Sequence, residues 1–184
     1  MTSVRLLLIA AASLAMSAAP AGAAQTSGPD ADVMATVDAA LAASIAGDIP
    51  RLMAQYAPDC AFTDEYAPFF WSGPHAIEDY FAAGGRMYRD TQHKDGKTVL
   101  GPPSYVYVSG DRAFVVEKVS GSASVRGRPY SQAGAFAFAL ARTQGRWKII
   151  SQTWTKSWEN MDPYRDWDPI HPGAARRSPR RPGP

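Results

Sequence analysis

The side chains able to do chemistry are few and scattered. The chain holds one cysteine, Cys60, and three histidines, His75, His93 and His171, none at metal-ligand spacing. A lone thiol excludes an internal disulfide and a Cys-rich metal module. Cys60 fits a small buried apolar residue, His93 a solvated position in the charged segment QHKDGK, and Glu117 an interface or rim position. The carboxylate that draws attention is Asp64. It closes the alternating run Cys60-Ala61-Phe62-Thr63-Asp64 and is followed by the aromatic cluster Phe69-Phe70-Trp71. A carboxylate among such rings loses hydration, which raises its pKa and makes it a usable proton carrier at neutral pH. The same Asp also suits a loop-ordering role, a favoured use of Asp. His75 opens a helical segment, where the macrodipole disfavours the imidazolium. It can therefore act as a neutral acid–base partner for Asp64 or simply occupy the first turn. Phe69-Phe70-Trp71 reads either as a lid over a pocket or as plain core.

The elements that position these groups follow from periodicity. Val33, Val37, Leu41 and Ile45 recur every four residues, which predicts a helix over 30–47, with Asp30 or Asp32 near its start and Gly47 at its end. Asp48 then caps a short helix with Pro50 in its first turn. A short strand runs through 60–65, and Pro74 opens a third helix, with Ile77, Tyr80 and Phe81 inward, ending near Gly84-Gly85. From Tyr105 the period is two: strands at 105–108, 113–125, 130–142 and 146–157, separated by Ser109-Gly110-Asp111, Arg126-Gly127-Arg128 and Thr143-Gln144-Gly145. Ser-Gly-Ser at 120–122 marks a bend. Helices followed by a meander make the class α+β.

Pairing the strands about Gly127 and Gln144 places even positions on one face, among them Phe114, Gln132, Phe136, Phe138, Gln152 and Trp154. Odd positions, Val115, Glu117, Val119, Trp147 and Ile149, fall on the other. The even face is expected to meet the helices and any cavity. The odd face is expected to be uncovered and to form a homodimer surface.

Both ends differ from this body. Residues 1–24 have Arg5, an apolar run from Leu6 to about Ala19 and the small-residue site Ala21-Gly22-Ala23, the pattern of a secretory signal peptide cleaved near Gln25. The run is shorter than the roughly 20 residues of a spanning helix. The expectation is an exported protein, periplasmic or secreted, with a domain over 25–161. Residues 162–184 form a Pro- and Arg-rich tail expected to be disordered, with five Arg against three Asp. This tail can touch anionic surfaces weakly. A formal net charge of +2 speaks against nucleic-acid binding. No cofactor is expected, because SGSASVRG lacks the G-x-G-x-x-G order of a phosphate-binding loop, and no metal is expected either.

The order of Gly47-Asp48, Leu52 to Phe62 (LMAQYAPDCAF), Trp71-Ser72-Gly73-Pro74 with Ala76-Ile77, and Gly145-Arg146-Trp147-Lys148-Ile149-Ile150 resembles the SnoaL-like branch of the NTF2-like superfamily over residues 30–158. That resemblance implies a curved antiparallel sheet wrapped around N-terminal helices, leaving a conical pocket. It implies a catalytic Asp at the end of the first strand, matched here by Asp64. The superfamily's steroid isomerases add two oxyanion donors, a Tyr on the first helix and a protonated Asp on the penultimate strand. The matching positions here are Ala40 and one of Gly134, Ala135, Phe136 or Ala137, so both donors are missing. Losing one such donor typically costs roughly 10²–10³ in rate, which argues against steroid-type isomerisation. Tyr56, Tyr80 or Trp154 remain as possible donors. The pocket expected from this reading is lined by Tyr56, Trp71, Tyr80, Phe114, Gln132, Phe136, Phe138 and Trp154. Three functions stay open: binding a small, mostly apolar organic ligand; a cofactor-free isomerase, lyase or cyclase using Asp64; and a non-catalytic dimeric interaction module.

Overall fold

The computed structural model describes residues 29–157. The signal segment 1–24, the tail 162–184 and His171 lie outside the described residues. The elements are α1 (Pro29–Ala46), α2 (Ile49–Met53), β1 (Tyr56–Thr63), β2 (Phe70–Ser72), α3 (Ala76–Asp90), β3 (Lys94–Ser109), β4 (Arg112–Val125), β5 (Arg128–Thr143) and β6 (Arg146–Lys156).

Local chemistry explains the helical half. Val33, Val37 and Leu41 bury one stripe of α1, while Ile45, at the end of the same stripe, is exposed. Gly47 takes φ +68° where the chain leaves α1. The Asp48 carboxylate then accepts the Arg51 N–H at 3.1 Å and caps α2. The third helix runs past Gly84-Gly85 rather than ending there. Gly84 is buried, and a Cβ on it would sit 3.1 Å from the Tyr66 hydroxyl oxygen. This glycine therefore serves close packing and not termination.

The six strands form one curved sheet in the order β2-β1-β6-β5-β4-β3. It is mixed and not wholly antiparallel, because β1 runs parallel to β6. Helix α1 lies against β3 and β6, and α3 against β1 and β2. Leu52, Phe62, Phe138, Leu140 and Ile149 are fully buried between these layers.

The register corrects the expected faces. Arg126-Gly127 and Gln144-Gly145 are two-residue turns, with Val125 opposite Arg128 and Thr143 opposite Arg146. All four turn residues have positive φ, from +50° to +77°, the requirement of the tight hairpin turns that match strand twist. Pairing about a single central residue is therefore off by one, which turns β4 over. Val115 faces Phe138 and Glu117 faces Phe136, whereas Phe114 pairs with Ala139 on the outer side. A bulge between Ala139 and Leu140 puts two residues of β6, Ile150 included, into one step of β5. Trp147, Ile149, Gln152 and Trp154 thus all turn inward despite mixed parity. The proposed dimer face is consequently core: Val115, Glu117, Val119, Trp147 and Ile149 are 0–7% exposed. The outer face instead shows Tyr105, Tyr107 and Phe114.

Candidate functional site

The reactive groups gather where β1 ends. Asp64 follows the last residue of β1, and two amide contacts fix it. Its own N–H donates to the Phe69 carbonyl at 3.2 Å, and its Oδ1 accepts the Glu65 N–H at 2.7 Å. One carboxylate oxygen is thus committed to ordering the loop. The other, Oδ2, accepts a hydrogen bond from the Tyr80 hydroxyl at 2.7 Å.

Tyr80 is brought there by α3, whose Ile77, Tyr80, Phe81 and Gly84 share one face at helical spacing. Its ring is enclosed by others. Phe62 stacks on it at 4.7 Å, Trp71 meets it edge-on at 5.2 Å, and Tyr66 lies 5.9 Å away. Tyr66 also turns its hydroxyl to the Tyr80 carbonyl at 3.4 Å. Burial in this aromatic shell raises the Asp64 pKa to about 6. The Tyr80 hydrogen bond, the Glu65 N–H and the charge of Lys156 pull it partly back. Burial and the adjacent Asp64 charge together hold the Tyr80 phenol far above its ordinary value, so it remains a proton donor. The pair is a carboxyl whose pKa is raised to about 6 beside a neutral hydroxyl, groups of the kind used in general acid–base chemistry. Lys156 closes the rim, 3.5 Å from Glu65 and over the Tyr130 ring at 5.2 Å.

The other expected site residues divide. Trp71 is buried within this shell. Tyr56 stacks on Phe62 at 5.2 Å, but its hydroxyl donates to the buried Gln152 and is committed there. Phe136, Phe138 and Trp154 face the concave side, with Phe136 5.0 Å from Trp154. Gly134 makes that possible, because a Cβ on it would meet the Trp154 ring at 2.7 Å. Gln132 accepts from Tyr130 at 3.0 Å, farther along β5. Phe114 is 41% exposed on the outer face and leaves the pocket set, for the register reason given above.

His75 does not join Asp64 in any described contact. It is the exposed N-cap residue of α3, and its side chain caps nothing. Tyr80, five residues on, takes the partner position. Phe69 and Phe70 are exposed on the loop and strand after Asp64, while Trp71 is core. The cluster therefore splits between the two roles weighed for it. His93 stacks on Tyr88 at 4.3 Å instead of standing in solvent. Cys60 is buried, and its thiol pKa is pushed up to about 11, chiefly by burial. It borders a cleft of about 270 Å³ whose wall also includes Tyr56, Met53 and Ile77. Among the described residues, no group of three or more His, Cys, Asp or Glu could hold a metal.

Tyr66 and Lys156 were missed by sequence reasoning. Tyr66 carries a weak signal, two residues past Asp64. Lys156 carries none, since only the sheet register brings β6 to the end of β1.

Comparison with known proteins agrees with this fold. The family model described as a SnoaL-like domain matches residues 37–150. Three solved structures show the same fold. A putative calcium/calmodulin dependent protein kinase II association domain from Xanthomonas campestris is 21% identical, with TM-score 0.57, over 74% of this chain and 94% of that one. A ketosteroid isomerase-like protein from Erwinia carotovora atroseptica is 23% identical, with TM-score 0.55, over 69% and 95%. A hexachlorocyclohexane dehydrochlorinase from Novosphingobium barchaimii is 16% identical, with TM-score 0.58, over 70% and 86%. No curated protein matches the chain in sequence.

Proposed function

The chain belongs to the SnoaL-like domain family, and from that premise we propose that it binds a small, mostly apolar organic molecule against its concave face and moves a proton on it with Asp64. One observation carries this reading: the Tyr80 hydroxyl on Asp64 Oδ2 at 2.7 Å, inside an aromatic shell that raises the carboxyl pKa to about 6. A carboxylate serving only the loop needs neither the second hydrogen bond nor the desolvation. In this reaction the ionised Asp64 takes a proton from a carbon next to an activating group. Tyr80 steadies the carboxylate and keeps its lone pair directed, and the proton leaves from Asp64 to the product or to water. Isomerisation, elimination and cyclisation all begin with this step. The dehydrochlorinase and the isomerase-like protein among the structural neighbours stand with such chemistry without assigning it here. His75 has no part in this mechanism.

The test is proton exchange from carbon. With cyclohexanone in D₂O, the wild-type protein should speed α-deuteration above the buffer rate, followed by proton NMR. Asp64→Asn should lower the protein's contribution by roughly 10²–10⁴, the worth of a positioned acid–base group. Exchange no faster than buffer, or equal exchange by Asp64→Asn, contradicts the reading.

We also propose export, on the strength of the pattern Arg5, Leu6 to Ala19 and Ala21-Gly22-Ala23. Amino-terminal sequencing of extracytoplasmic material should find a start near Gln25, and retention of Met1 contradicts export by this signal. Val115, Val119, Trp147 and Ile149 cannot form a homodimer surface, since those side chains are buried.

A further inference from the structure

Strand β5 has an open edge. Its residues from Arg128 to Ala133 pair with β4 on one side. On the other side, among the described residues, the ladder with β6 ends where Lys156 lies opposite Gly134, and Ser157 adds one bond from its N–H to the Ala133 carbonyl at 2.9 Å. Arg128, Pro129, Ser131 and Ala133 are exposed. Bare strand edges are normally covered or blunted, because their amides and carbonyls invite pairing. The chain leaves Ser157 antiparallel to β5 and directed along this edge toward Arg128. Its sequence continues Trp158-Glu159-Asn160-Met161-Asp162-Pro163. In the register that sets Lys156 opposite Gly134, Trp158 falls opposite Gln132, Glu159 opposite Ser131 and Asp162 opposite Arg128. An acid thus meets a base at the last step, a favourable cross-strand pair. Pro163 falls one residue beyond the start of β5, where the ladder has no further use for its missing N–H.

We propose that residues 158–162 continue β6 along this open edge and bring Trp158 to the rim of the concave face, as a further aromatic contact for the ligand. Alternation along β6 sets the side. Trp154 packs on Phe136, and Lys156 lies over the Tyr130 ring, so Trp158, two residues on, faces the same way. The ring then lies beside Lys156 and Gln132 and lengthens the aromatic floor of the face. The strand extension stands on register and charge alone. The ligand contact also rests on the proposed ligand-binding face, though not on proton transfer by Asp64.

The experiment uses the full chain with Ser131→Cys and Glu159→Cys, oxidised in a glutathione buffer. These positions lie two steps on from the bonded pair of Ala133 and Ser157, so they form a pair of the same kind, with Cα atoms about 5.5 Å apart. That spacing suits a disulfide. Peptide mapping separates the new bond from any made by Cys60. The cross-link should form within one chain about tenfold or more faster than in Ser131→Cys with Asn160→Cys, whose second thiol faces the other side of the sheet. Equal rates overturn the extension. A cross-linked dimer overturns it in favour of a segment exchanged between two copies. In Glu159→Pro, which removes an N–H from the ladder, the Ser131 amide should exchange its hydrogen about tenfold faster than in wild type; an unchanged rate also overturns the extension. Calorimetric titration with cyclohexanone tests the contact. Trp158→Ala should weaken binding about three- to tenfold, as expected for lost apolar burial, and Trp158→Phe should keep most of it. Unchanged affinity in Trp158→Ala overturns the contact. No cyclohexanone binding by wild type, together with the in-register cross-link, overturns the ligand face and the contact while the strand extension stands.

Discussion

Replacing Asp64 with Asn should change the stability of this protein in a pH-dependent way. Burial pushes the folded carboxyl up to about 6 from its ordinary 3.8. Such a group favours the folded state while it is protonated. As pH rises through 4 the unfolded chain loses its proton first, while the folded chain keeps it until about 6. Between these values the unfolded state binds fewer protons, so stability falls as pH rises. A shift of a little over two units corresponds to about 3 kcal/mol, as an upper figure because Asp64 keeps some solvent contact. Asn has nearly the same shape, can still accept the Glu65 N–H, and cannot ionise. The variant should therefore escape this loss. Urea denaturation of both proteins at pH 4 and at pH 7.5 measures it. The stability of Asp64→Asn relative to wild type should improve by about 1–3 kcal/mol from the lower pH to the higher, whatever constant offset the exchange of O–H for N–H₂ introduces. A relative stability independent of pH, or one that worsens as pH rises, refutes the raised pKa and the desolvation argument behind it.

Proton exchange catalysed by wild type should rise with pH and level off above an apparent pKa near 6, as an ionised base requires; a rate flat between pH 4.5 and 7.5 contradicts this. Tyr80→Phe removes the hydrogen bond that lowers the Asp64 pKa, so the same profile should move upward by about one unit, in line with a hydrogen bond to a charged group. His75→Ala, at an exposed N-cap, should leave both the exchange rate and its profile unchanged. Gly134→Ala puts a methyl into the Trp154 ring and the Thr155 carbonyl, so it should cost about 1–3 kcal/mol in urea denaturation and alter the near-ultraviolet circular dichroism.

Much of the fold could be read from periodicity because the repeat lengths are unambiguous where burial is one-sided. The stripe Val33, Val37, Leu41 gave α1 within one residue at each end, and the alternation from Ala113 onward gave β4 and β5 within two. The faces of the meander were less legible. Arg126-Gly127 reads equally well as two turn residues or as part of three, and the φ values that decide it are invisible in composition. That single slip exposed Phe114 and buried Glu117. The bulge at Ile150 has no local signature either, since Ile149 and Ile150 are alike in type. At the site, Asp64 stood out through its neighbours Phe62 and Trp71. Its partner did not, because Tyr80 and His75 share the start of one helix and only the packing of α3 chooses between them. Lys156 reaches the rim through a parallel pairing of β1 with β6, strands far apart in the sequence.

The most direct check is the titration of the Asp64 carboxyl itself. Carbon-13 NMR of the folded protein, with the γ-carboxyl resonance assigned by its loss in Asp64→Asn, follows ionisation without any substrate. The midpoint should lie near 6 and rise further in Tyr80→Phe. A midpoint at or below about 4, the value of an unperturbed aspartate, would contradict the claim that this fold holds Asp64 ready to move a proton at neutral pH.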